Sequence, residues 1–298
     1  MNITPLIIEI EQIAICSYSV AGFADFITSN GQAIWITNPS KNVVQCFNSQ
    51  SKFPLYEVVV PQAVGIPVFA FCAVWVASLT EQSIYKIDPE TGAVLAIIAT
   101  GLGDHTGEFS LAASPEGVWI ISAESELSLI DPRSNQVIKK IEVSPKSYNL
   151  CYGDGALWLS NQKLNSIQRI DPHNLTPHSQ ILVGRNPVFL AFGCGAIWTL
   201  NQTDGTVSKI DPRLNRVVDT IILPDETKGD GGDIHISHGK IWVRTTQVLL
   251  IQIDCHTLAI EKIYQHRITS GSGAVCSQGP LVWISAHDIE KLWAISVS

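Results

Sequence analysis

One residue keeps time along this chain. A tryptophan after an apolar residue, with a Gly two to four positions before it in six of the seven repeats, falls at Trp35, Trp75, Trp119, Trp158, Trp198, Trp242 and Trp283. Successive spacings are 40, 44, 39, 40, 44 and 41 residues. A second ruler, Ile-Asp and usually Pro after it, places Asp88, Asp131, Asp171, Asp211 and Asp254 at intervals of 43, 40, 40 and 43. Two independent markers with one period near 41 leave few architectures, since units of this length built from several short strands are the blades of a propeller.

Within a unit, alternating apolar residues mark four strands. In the fifth they are read as 188–192, 196–201, 206–210 and 217–223, lettered A to D. Gly193–Gly195 forms the A–B turn, Asp204-Gly205 the B–C turn, and Asp211-Pro212 opens the C–D turn. There an Asp side chain bonds the backbone ahead and Pro presets the next φ. The Asp series repeats too regularly to be one site and is read as turn chemistry on the face away from the D–A loops.

Seven such units use nearly all 298 residues, so the expectation is one domain over residues 1–298, an all-β, seven-bladed propeller with four-stranded blades. The last unit supplies only strands A, B and C before the chain ends. The missing strand is sought in the apolar run Leu6–Ile13, which would complete blade 7 and close the ring, leaving no exposed sheet ends.

Composition narrows the function. A hydrophobic content of 46% with 15% charged residues suits a large β core. The net charge of −8 argues against nucleic acid or an anionic membrane as partner. No apolar run reaches the roughly 20 residues of a membrane helix. The N-terminal stretch has no basic segment and carries Glu9 and Glu11 among its apolar residues, so it fails as a secretory signal and a cytoplasmic protein is expected. Seven cysteines, an odd number without a CxxC pair, fit that expectation, with Cys151 and Cys276 read as buried thiols.

The two 44-residue spacings locate the irregularity. Their excess lies in the D–A connections before blades 3 and 6, residues 101–108 and 225–233, both Gly-rich and acidic. D–A and B–C connections share a face, and blades 3 and 6 stand almost opposite each other. The two loops should therefore flank one mouth of the central channel, a common place for ligands.

Candidate chemistry gathers there. His235 occupies the position seven before the Trp, where the other blades have Thr28, Val68, Ala112, Cys151, Ala191 and Cys276. With Asp233 two residues earlier, it is a candidate general base or metal ligand. The plainer alternative is a histidine that only ties down the long loop. His105 and Glu108, with Asp104, lie in the opposite loop, and with Asp230 and Asp233 they could hold a divalent cation such as Mg or Ca. The plainer alternative is a solvated acidic loop. Tyr148, Asn149, Arg185, Arg244, Glu124 and His287 are candidate ligand-binding residues, provided their side chains converge. No GxSxG, P-loop, Rossmann fingerprint or HExxH is present.

The repeat consensus G-A-[IV]-W-[VTL]-x-N…G-x-[VI]-x-x-I-D-P-x-x-x-x-V resembles bacterial propeller repeats of the virginiamycin B lyase-like and YVTN type. It covers the whole chain but rests on structural positions. The resemblance implies a propeller and, in the lyase, ring opening by elimination with a magnesium ion, a Glu three residues after the Trp and a His opening strand A. Here the positions after the Trp hold Asn38, Ser78, Ser122, Asn161, Asn201, Thr245 and Ala286, and strand A opens on residues such as Val188, Gly232 and Gly273. The catalytic pattern is not reproduced. Two classes stay open: a small-molecule or peptide binder or enzyme of lyase, isomerase or cyclase type at the mouth, and a non-catalytic scaffold for a protein partner.

Overall fold

A computed structural model describes residues 4–123, 125–143, 148–175, 177–268 and 271–297. Seven antiparallel sheets form a ring, each ordered from an inner strand A to an outer strand D. In blade 5 the strands are Pro187–Gly193, Ala196–Asn201, Thr206–Asp211 and Arg216–Ile222, within a residue of the sequence reading at nearly every end. Each strand A packs against the strand A of the next blade, all the way round. Every residue of Ala196–Asn201 is buried, because strand B lies sandwiched between neighbouring sheets, whereas Arg216–Ile222 alternates toward solvent on the rim.

The repeat Trp residues are all fully buried. Five residues before each of six of them, across the A–B turn, stands the acceptor of the indole N–H: the carbonyls of Ala70, Gly153 and Gly193, the hydroxyls of Ser114 and Ser237, and the Gln278 side chain. A large apolar ring is thus buried with its one polar group satisfied, which fixes the residue type and its distance from the turn. The Asp markers are turn residues, as read. Asp88, Asp131, Asp211 and Asp254 each accept two backbone N–H bonds from the residues just ahead.

Two residues before some of those Asp positions is a cation that joins adjacent blades. Lys86 Nζ lies 5.2 Å from the ring centre of Trp75 and donates to the carbonyl of Pro132 and to Asn135 in the next blade's turn. Arg169 does the same over Trp158, reaching Pro212 and Asn215 at 2.8 Å. One motif residue therefore orders both its own blade and the seam beyond it.

The N-terminal segment closes the ring, but not with residues 6–13. The strand that completes blade 7 is Ala14–Ser19, antiparallel to Lys291–Ser296. Leu6–Glu9 pairs in parallel with Ile260–Gln265 as a fifth strand on blade 6, and a 3-10 turn at Ile10–Gln12 carries the chain from one blade to the next. The outer strand needs only one inward face. Ala14, Cys16 and Tyr18 supply it at alternate positions, and Tyr18 packs on Phe47 and Trp283. The more apolar run was the wrong choice because Leu6 and Ile7 stay largely exposed on the rim.

Candidate functional site at the channel mouth

The channel is lined by all seven inner strands and encloses about 450 Å³. The residue seven before each Trp is paired with that Trp across the A–B hairpin, so Thr28, Val68, Ala112, Cys151, Ala191, His235 and Cys276 form one layer of its wall. Six are small, branched or a thiol. Burial pushes the Cys151 thiol up to about 12.

His235 breaks this layer, and its partner is not Asp233. Its Nε2 lies 2.9 Å from the Ser277 hydroxyl on blade 7. Burial, then His238, lowers the imidazole to about 4, so the ring is neutral near pH 7. Asp233 is turned to backbone instead, its carboxylate accepting the N–H groups of Ile234 and Val275. Burial raises it to about 7, against those two bonds and Arg244, with Glu108 adding to the rise. The two residues read as one base therefore serve different levels of the channel.

Above Asp233, the long loops are packed rather than loose. Gly107 has a φ of +92° and lies so close to Val64 that a side chain there would be crowded. Asp104 is buried and accepts both the N–H and the hydroxyl of Thr106 at 2.7 Å, holding the loop in shape. On the other side Gly232, at a φ of +118°, passes so near the Arg244 carbonyl that any side chain would collide with it.

The loops meet over a recess of about 440 Å³ lined by Asp104, Thr106, Glu108, Tyr148, Gln162, Asn186, Val188, Gln202, Asp230 and Gly231. Glu108, Tyr148 and Asp230 thus converge. Enclosure in the recess, then Asp104 and Asp230, raises the Glu108 carboxyl. Asn149 is buried just below, donating from Nδ2 to the Glu108 carbonyl at 3.1 Å.

The remaining sequence candidates go elsewhere. His105 is exposed and is not part of the recess wall. Arg185 turns to the edge of blade 5, where its Nε is 2.6 Å from Asp204. His287 is buried, stacks on Phe23 at 3.8 Å between ring centres and sits 2.7 Å from Asp288. Glu124 lies outside the described residues. Arg244 is fully buried, donating to the carbonyls of Ser285, Thr245 and Gly271, so it joins blades 6 and 7 rather than facing a ligand.

The residue that sequence reasoning missed is Asp25. It is 7% exposed, and its Oδ1 has no hydrogen-bond partner. Burial, then the Glu108 and Asp233 charges, pushes it well above the usual carboxylate range, with only Arg244 opposing. Counting back ten from Trp35 would have placed it level with Tyr148, ten before Trp158. Blade 1 is the most degenerate repeat, which hid it. Among the described residues, no group of three or more His, Cys, Asp and Glu side chains is placed to hold a metal ion. Several of the positions three after the Trp are used up by the fold: Ser78 donates to the Pro61 carbonyl, and Asn38 and Asn201 donate to Gln45 and Ser208 on neighbouring strands.

No protein-family model and no curated protein sequence matches the chain. Solved structures do. Virginiamycin B lyase from Staphylococcus aureus superposes with a TM-score of 0.79 at 17% identity, covering 95% of this chain and 99% of its own. A streptogramin B lyase reaches 0.80 at 15%, covering 95% and 97%. BamB from Moraxella catarrhalis reaches 0.63 at 12%, covering 91% and 84%. The shared feature is the propeller itself. No helix among the described residues is long and apolar enough to cross a membrane.

Proposed function

We propose that this propeller binds a small polar molecule or a peptide terminus in the recess over the channel mouth. The observation that carries the reading is the convergence of Glu108, Tyr148 and Asp230, from three separate D–A segments, around a cavity of about 440 Å³. A concave site with a few converging polar groups is the ordinary form of a ligand pocket. Its three acids (Asp104 among them) favour a ligand carrying positive charge. Binding is better supported than elimination chemistry of the lyase type, because the His235 imidazole is engaged by Ser277 inside the channel and His105 is exposed and outside the recess wall.

The test is a thermal-shift screen of polar and amine-bearing compounds against the wild type and a Glu108→Gln/Tyr148→Ala variant. Compounds that stabilise only the wild type support the reading. Compounds that stabilise both equally place binding elsewhere.

A second reading, a protein-interaction scaffold, draws on the rim. The outer strands leave Leu95, Ile97, Leu182 and Ile222 more than half exposed, and apolar surface of this kind marks contact sites when it is contiguous. BamB as a structural relative adds fold-level analogy only.

A further inference from the structure

A smaller cavity opens beside the recess, sharing Thr106 and Glu108 with it. It encloses about 120 Å³ between blades 1 and 2 and the 101–108 loop. At roughly 30 Å³ per water in the liquid, that is room for about four waters or a compact organic group. Phe23, Phe26 and Val64 form apolar walls, and Asp25 and Glu108 supply carboxyl groups. Asp25 is more than nine-tenths buried, with an oxygen that no atom of the described residues satisfies.

We propose that this side chamber receives the ammonium head of a small organic cation, with Asp25 as its counter-ion and Phe23 and Phe26 as its aromatic walls, while the rest of the ligand lies in the recess. The inference rests on the mouth being a ligand site. Buried polar groups are normally hydrogen-bonded, so an orphaned carboxylate oxygen beside a cavity asks for a donor that the fold does not provide. An anion is disfavoured by two carboxyl groups, and the described residues provide no cluster for a metal ion. A primary or methylated ammonium brings positive charge together with apolar bulk, and aromatic faces attract it. The groups that face Asp25 electrostatically are Glu108, Asp233, Asp288 and Arg244. Three of these four are acids, so the surroundings suit a cation. Arg244 is committed to backbone carbonyls of blades 6 and 7.

The experiment is calorimetric titration of the full chain with choline, ethanolamine and the uncharged tert-butyl isostere of choline. Saturable binding of an amine is expected, with the isostere at least about tenfold weaker. Asp25→Asn keeps the side-chain shape and should weaken amine binding about tenfold or more. Phe23→Ala changes a partly exposed residue, so the fold tolerates it, and choline binding should fall roughly threefold to tenfold. Equal affinity for the isostere, unchanged binding by the Asp25 variant, or no saturable binding of either amine overturns the inference. If amines fail while larger compounds still bind in a manner dependent on Glu108 and Tyr148, the side-chamber inference falls and the mouth reading stands. If those compounds fail as well, both fall.

Discussion

On the lower face, away from the D–A loops, three of the turn aspartates are held as anions. Asp131, Asp211 and Asp254 all lie below their ordinary range, through bonds from the Ser134 side chain, the Leu214 backbone and the Lys240 ammonium respectively. On the upper face Asp25, Glu108 and Asp233 are all displaced the other way, and in each the first cause is burial. The same functional group is pushed in opposite directions some twenty residues along one repeat. The lower face matches its carboxylates to local donors at Asp88, Asp131, Asp211 and Asp254. The upper face gathers carboxyl groups with fewer donors than acceptors, and groups perturbed in this way concentrate where ligands bind.

The largest effect should come from removing Arg244, a buried cation of the upper face. Arg244→Met leaves the carbonyls of Ser285 and Gly271 and the nearby acids without their partner, and breaking such a buried arrangement costs about 3–5 kcal/mol. Thermal melts should show a drop of many degrees or loss of soluble protein. A melt close to wild type would mean that the acids are already neutral and that the two faces differ less than proposed.

On the lower face, Asp254→Ala removes an acceptor of two turn bonds and of Lys240. A loss of about 1–2 kcal/mol, a few degrees in the melt, is expected at pH 7. The folded carboxyl is depressed, so its contribution is present above the unfolded value near 3.8 and fades as pH falls below it. The gap to wild type should therefore close in acid.

The smallest effect has the opposite sign. Asp25 is raised on folding, so the folded state binds its proton more tightly than the unfolded chain, and wild-type stability falls as pH rises above the ordinary carboxylate range. Asp25→Asn escapes that loss. Melts at pH 8 should place the variant about 1–3 °C above wild type, with the gap gone near pH 4. A variant less stable than wild type at pH 8 but not at pH 4 would show that Asp25 makes a favourable contact as an anion.

The fold was legible because the constraints that build it repeat. Trp198, its indole acceptor five residues earlier and Asp211 opening the C–D turn are local devices copied in blade after blade, so comparing the units exposed their jobs. The N-terminal strand had no copies to compare. Raw apolarity favoured 6–13 over Ala14–Ser19, although the rim position asks for only one inward face. The recess was half legible: the extra loop length pointed to Glu108 and the D–A position to Tyr148, and these two do converge. The rest failed where direction mattered more than position. Asp233 and His235 share a strand face, yet one is captured by backbone N–H groups and the other by Ser277 on another blade. Arg185 was lost to Asp204. Asp25 became visible only once the ring had brought blade 1 beside Glu108.

The two N-terminal strands pair with residues far down the chain: Leu6 meets Lys262 and Ser19 meets Lys291. As a chain grows from the ribosome, these strands emerge long before their partners and must wait for them. Blades 1 to 5 are each complete within a single stretch and can form in the order they appear. The closing contacts span almost the whole length, and contacts of such separation are slow to form. The ring is therefore committed in one late event, and until then the strands 6–9 and 14–19 lack the partners that complete blades 6 and 7.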